Sequence, residues 1–193
     1  MTQLGHGLCH ADHYDEGLSV KEAELSMRRR LGQPDGVILA VQGNIAITYL
    51  KLGRLDEALR MRRDMYSESL KLFGEEHAIT LLAALNYGSS LNKLDRFKEA
   101  KSLLRKAVPV ARRVLGEDHI RTLELRRSHA VALHHDDGAT LDDLSEAVTT
   151  LEETARTARR VMGSAHPLTS VIKESLQAAR AALRAREPPS ETS

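Results

Sequence analysis

Tryptophan is absent from these 193 residues, and all aromatics together make up only 3%. That scarcity excludes a base-stacking nucleic-acid platform. It also argues against a β-rich fold, whose strands favour aromatic and β-branched side chains. A single cysteine, Cys9, allows no internal disulfide and fits a reducing compartment such as the cytoplasm. No apolar run of about 18 residues occurs, so no membrane span is expected. The N-terminus lacks the charged-then-apolar layout of a signal peptide. A formal charge of +1 supplies no global field for nucleic acid or an anionic membrane. Nucleophile elbow, phosphate loop, dinucleotide fingerprint, paired-histidine zinc motif and Ca²⁺ loop are all missing, so neither an enzyme nor a cofactor is expected.

What remains is helix-forming. Apolar residues make up 41% and charged residues 28%, with Leu, Ala, Arg, Glu and Lys dominant. The chain repeats itself. "LGQPDGVIL" begins at Leu31, "FGEEHAITL" at Phe73, "LGEDHIRTL" at Leu115 and "MGSAHPLTS" at Met162. Their glycines, Gly32, Gly74, Gly116 and Gly163, are 42, 42 and 47 residues apart. Inside each unit a second phrase recurs: "LGRLDEAL" around Gly53, "LDRFKEAK" around Asp95 and "LSEAV" ending the third copy, which carries five extra residues.

Each unit therefore holds two helices joined by a short turn. First helices are predicted near 36–52, 77–93 and 119–135, and second helices near 55–72, 97–114 and 141–161. Glycine ends one unit and acidic or polar residues open the next. In the third unit Gly138 is expected to close the first helix, and Thr140 with Asp143 to form a capping box. Pro109 falls inside a predicted helix and should kink it. Small residues mark close approach: Ala46, Gly88 and Ala130 in first helices, Ala58, Ala100 and Ala147 in second ones. A lone hairpin of this size cannot hide its apolar stripe, so neighbours must stack.

The order small–x–x–[YL], then [LF]–x–E–A, resembles the tetratricopeptide repeat. The 42-residue step and the "LG-x-x-H-x-x-T-L" linker resemble its kinesin light chain type. The resemblance covers roughly residues 4–185. It implies an all-α, right-handed α-solenoid of antiparallel helix pairs: a partial unit at 1–32, repeats at 33–74, 75–116 and 117–163, a cap helix at 164–186 and a disordered tail at 187–193. The whole of 1–186 is read as one domain. The first helix of the partial unit lacks its start, so the chain reads as a segment of a longer array or one lacking its N-terminal cap. Self-association through that truncated end is an expectation.

Function follows from the same resemblance. Stacked hairpins make a concave surface of first helices that binds a peptide or a partner helix. The resemblance implies that an asparagine early in each first helix contacts the ligand backbone. Asn44 and Asn86 match at 42 residues, and Ser128 is the third equivalent. Ile47, Lys51, Ser89, Lys93 and Arg127 are neighbouring inner-face positions. Lys51, Lys93 and Arg127 bias the face towards peptides with acidic residues or a free carboxylate. The expected function is a non-catalytic protein-interaction module. The alternatives are a regulatory or sensor segment of a larger signalling protein, and a small metal-binding regulator.

The metal alternative rests on two clusters. His6, Cys9, His10 and His13 have zinc-like residue types. Aligned at an offset of 41 on "YLKLGRLDEAL", however, they are a helix end and its turn, with His13 off the helical face. His134, His135, Asp136 and Asp137 lie at the five-residue insertion, read as a surface loop. No metal site is assigned. His77, His119 and His166 recur at the repeat step, which suits helix starts rather than catalysis. Arginines late in each second helix complement the helix dipole; a basic ridge for an acidic partner or RNA is the sharper reading of the same pattern.

Overall fold

The computed structural model describes residues 13–186, and every described element is a helix. The helices are α1 (Tyr14–Arg30), α2 (Asp35–Lys51), α3 (Leu55–Phe73), α4 (Ala78–Lys93), α5 (Phe97–Leu115), α6 (Ile120–His135), α7 (Leu141–Met162) and α8 (Pro167–Arg186). They fall where the repeat places them. The chain divides into two compact units, residues 1–72 and 73–193.

In the first unit α1 packs on α2. Leu18 and Leu25 meet Ile38, Val41 and Ile45 in a small core, with Tyr49, Leu52 and Met61 against it. Two polar ties fix the register of the pair: Lys21 Nζ donates to Thr48 Oγ1 at 2.8 Å, and the Tyr49 hydroxyl donates to Glu22 Oε1 at 2.8 Å.

In the second unit the helices α4 to α8 are laid so that α6 touches α4, α5, α7 and α8. With neighbours on several sides, α6 buries ten of its sixteen residues, polar Arg126, Ser128, His129 and His134 among them. Leu123, Ala130 and Leu133 of α6 join Ala147 and Leu151 of α7 and Ile172 of α8 in one core. Each large apolar side chain so hidden contributes roughly 1.5–3 kcal/mol.

The small residues lie at the closest approaches. Ala46, Ala58, Ala100, Ala130 and Ala147 have no exposed surface. Gly88 presses on α5 so tightly that an added Cβ would meet Leu104 Cδ2 at 2.7 Å and Cγ at 2.9 Å. The hairpin turns reuse one backbone shape: Gly53 has φ +72°, and at the matching place 42 residues on Asp95 adopts φ +55°.

One local expectation changes. Helix α6 ends on Asp136, not Gly138, because the Asp136 carbonyl accepts from Ala139 N and its carboxylate from Gly138 N. Those two bonds shape the turn that leads into α7, and Gly138 sits within it rather than at the helix end. Helix α5 runs from Phe97 to Leu115 through Pro109, which is exposed. The carbonyl that the proline leaves without a helical donor belongs to Arg105, also exposed, where water can satisfy it. The capping box forms as expected: Asp143 N donates to Thr140 Oγ1 and Thr140 N to Asp143 Oδ2, each at 3.1 Å. Lys101 of α5 also bonds that carboxylate and holds it below the usual carboxylate range.

Two helical glycines give opposite expectations. A Cβ on Gly43 would meet only Met65 Cε, at 3.5 Å, an ordinary contact. Gly43→Ala should therefore gain stability, by up to about 1 kcal/mol from helix propensity. Gly88→Ala should lose about 1–3 kcal/mol by overpacking. Chemical denaturation of both variants checks the pair, and equal gains would show that α4 and α5 are not in this close register.

Candidate functional site

The linkers set where each first helix begins, and three histidines do it. Backbone N–H groups of Ile79, Arg121 and Leu168 donate to Nδ1 of His77, His119 and His166, each at 3.2 Å. These imidazoles are N-caps, a task usually given to Ser, Thr, Asp or Asn and worth about 1 kcal/mol. The threonine three residues on completes the linker. Thr122 Oγ1 donates to the Ala111 carbonyl at 3.3 Å and Thr169 Oγ1 to the Gly163 carbonyl at 2.9 Å. The recurring histidines thus have a structural task in three of the four linkers, and the first, which ends on Pro34, has no side-chain cap.

First helices so positioned carry the expected peptide-binding residues. On α2, Asn44 is half-buried while Ile47 and Lys51 are exposed; Ile47 has 51% of its surface in solvent. The spacing of three and seven residues puts all three on one face. On α4, Asn86, Ser89 and Lys93 repeat that spacing, the first two half-buried and the lysine exposed.

Helix α6 departs from this pattern. Ser128 is only 1% exposed, and it accepts from Asn92 Nδ2 of α4 at its hydroxyl (3.1 Å) and its carbonyl (2.9 Å). The third equivalent of the asparagines is thus a tie between α4 and α6. Arg127 is half-buried, and burial lowers its pKa against the opposing pull of Glu124. Its Nε is buried without a partner, as is Asn92 Oδ1. The positions that match Ser89 and Lys93 at the 42-residue step are Val131, half-buried, and His135, exposed. Neither was expected from sequence on the peptide-binding face, His135 being read only as part of the His134–Asp137 cluster, although adding the period finds both. Asn92 was missed because its partner sits 36 residues away.

Tetratricopeptide repeat family models match residues 38–79 and 79–138, together just over half of the chain. The chain belongs to the tetratricopeptide repeat family. Two solved structures of kinesin light chain nearly identical TPR-like repeats from Podosopora anserina superpose with TM-scores of 0.78 and 0.75. Each is 20% identical, covers 96% of this chain, and is itself covered to 85% and 86%. BtubC (BKLC) from P. vanneervenii superposes at 0.72, with 16% identity, over 98% of this chain and 82% of its own. The fold is that of kinesin light chain-type repeats. No curated protein matches the sequence.

The insertion in this tetratricopeptide protein lies where α6 turns into α7. His134 Nδ1 donates to the Ala130 carbonyl at 2.7 Å, and its Nε2 is buried without a partner. His135 stacks on Phe97, ring centroids 5.5 Å apart. Among the described residues no three His, Cys, Asp or Glu side chains gather as metal ligands. His6, Cys9 and His10 lie outside the described residues. No described helix is long and apolar enough to cross a membrane.

Burial makes α6 sensitive to acid. It pushes His134 down to about 4 and lowers His129 as well, although Glu146 draws His129 back up. Unfolding returns both rings to near 6.5. The unfolded chain therefore binds more protons between those values, and stability falls with pH there. It should be fully present above about pH 6.5 and decline steadily towards pH 4. His134→Gln should flatten that decline in denaturant titrations across the range. An unchanged slope would show that this imidazole is not buried neutral.

Proposed function

We propose that this chain is a non-catalytic protein-binding module that takes a peptide or a partner helix on the open faces of its first helices. The observation that carries the reading is the match between Asn44 and Asn86. They hold the same repeat position, and both are half-buried at the surface. Each also lies one turn from a less buried or smaller neighbour, Ile47 or Ser89, and two turns from a lysine. A carboxamide offers two donors and an acceptor, so it can hold a peptide group without reading the side chain beside it. Lys51 on α2 and Lys93 on α4 each add a cation two turns from the asparagine of their own helix, which favours a ligand with acidic residues or a free carboxylate. Arg127 extends that bias onto α6. Membership of the tetratricopeptide family, whose repeats serve as protein-interaction modules, supports the class of function. The kinesin light chain-like fold and the single cysteine support a cytoplasmic setting.

Affinity capture followed by titration of the captured partner tests the reading. Asn44→Ala/Asn86→Ala should weaken a partner of the parent chain about tenfold, because each amide loses hydrogen bonds worth about 1 kcal/mol. A partner bound equally by parent and double variant would contradict it.

A further inference from the structure

The second helices carry a different surface. Two hollows open on either side of the last three turns of α7, one of about 400 Å³ towards α5 and α6, the other of about 520 Å³ towards α8. Arg156 lines both.

The carboxylates in and around them are already engaged. Arg126, only 5% exposed on the floor of the first hollow, holds Glu153 at 2.6 Å and Glu117 at 3.3 Å. Glu117 also takes Arg112 at 2.5 Å, and Asp118 takes Arg160 at 2.5 Å. In the second hollow Glu152 takes Arg180 at 2.6 Å. Every acid there has an arginine, yet Arg156 and Arg159 make no ion pair among the described residues. Both are exposed on consecutive turns of one helix. The second hollow has an apolar floor as well, Ala155 and Leu176, beneath the cations Arg156, Arg159 and Arg180.

We infer that the α7 hollows form a second docking surface, which binds an acidic peptide segment carrying one apolar side chain among its carboxylates. The surplus guanidiniums supply fork-shaped donors for carboxylates that this chain does not provide. The paired acids around them fix the arginines in place, so less side-chain freedom is lost on binding. The floor between Ala155 and Leu176 accepts the apolar residue. This surface lies on second helices, and its ligand need not be that of Asn44 and Asn86.

Fluorescence anisotropy tests it, using the full chain and a dye-labelled peptide of three glutamates, one leucine and three glutamates. Arg156→Glu/Arg159→Glu should weaken binding at least about tenfold while the chain stays folded, since both side chains are exposed, no ion pair is broken and only the favourable dipole interaction of Arg159 in the last turn is reversed. Replacing the leucine of the peptide by serine should weaken binding several-fold. Unchanged affinity in the α7 variant, or no binding by the parent chain, would overturn the inference. So would a loss confined to Lys51→Glu/Lys93→Glu, which would move the contact to the first helices. An oligouridylate that bound through the same arginines more tightly than the peptide would overturn it too, by assigning the surface to RNA.

Discussion

A helix pair of about forty residues has an apolar stripe on both members and too little of itself to cover them. Everything else in this chain follows from how neighbours supply the cover. In the second unit the burden falls on α6, which meets four other helices and has little surface left for water. Its composition shows the consequence. Leu123, Leu125 and Leu133 fill space, while Thr122, Ser128 and Arg126 are buried only because carbonyls, an amide or carboxylates meet them. Acid sensitivity at His134 is another product of the same crowding.

Stacking requires that each unit start at the same angle to the last, and the linker provides this by local chemistry. Glycine takes a positive φ that other residues adopt at a cost, as at Gly116 (+92°) and Gly163 (+85°). Three residues later a histidine caps the next helix, and three after that a threonine ties back to the carbonyls of the chain just ended. The register is thus written in short-range hydrogen bonds, and the long-range packing inherits it. Function is left to the faces that stacking does not use.

Most of the helix plan was legible because the period is a local signal. Glycine, histidine and alanine at fixed offsets placed the helices within about a residue or two, the usual scatter of helix ends. The close approach at Gly88 was legible for the same reason: a side chain of zero size stood where the other copies carry alanine. What could not be read depended on partners distant in sequence. Ser128 matches Asn44 and Asn86 by position, yet its environment is decided by Asn92 on the neighbouring helix. Arg126 looks like any surface arginine until Glu117 and Glu153 close over it. Asp136 took the place after the helix from Gly138, and its carboxylate holds the turn beyond by accepting from Gly138 N. At the candidate site, repeat position found the asparagines and lysines of α2 and α4. On α6, attention to charge led to Arg127, where the period leads to Val131 and His135.

Hydrogen–deuterium exchange on the intact chain, resolved by segment, tests the dependence on mutual shielding most directly. If neighbours supply the stability, amides of α6 should exchange most slowly in residues 73–186, and those of α8, which has fewer neighbours, markedly faster. Exchange of α6 as rapid as that of α8 would mean that the helices hold themselves, and the account would fail.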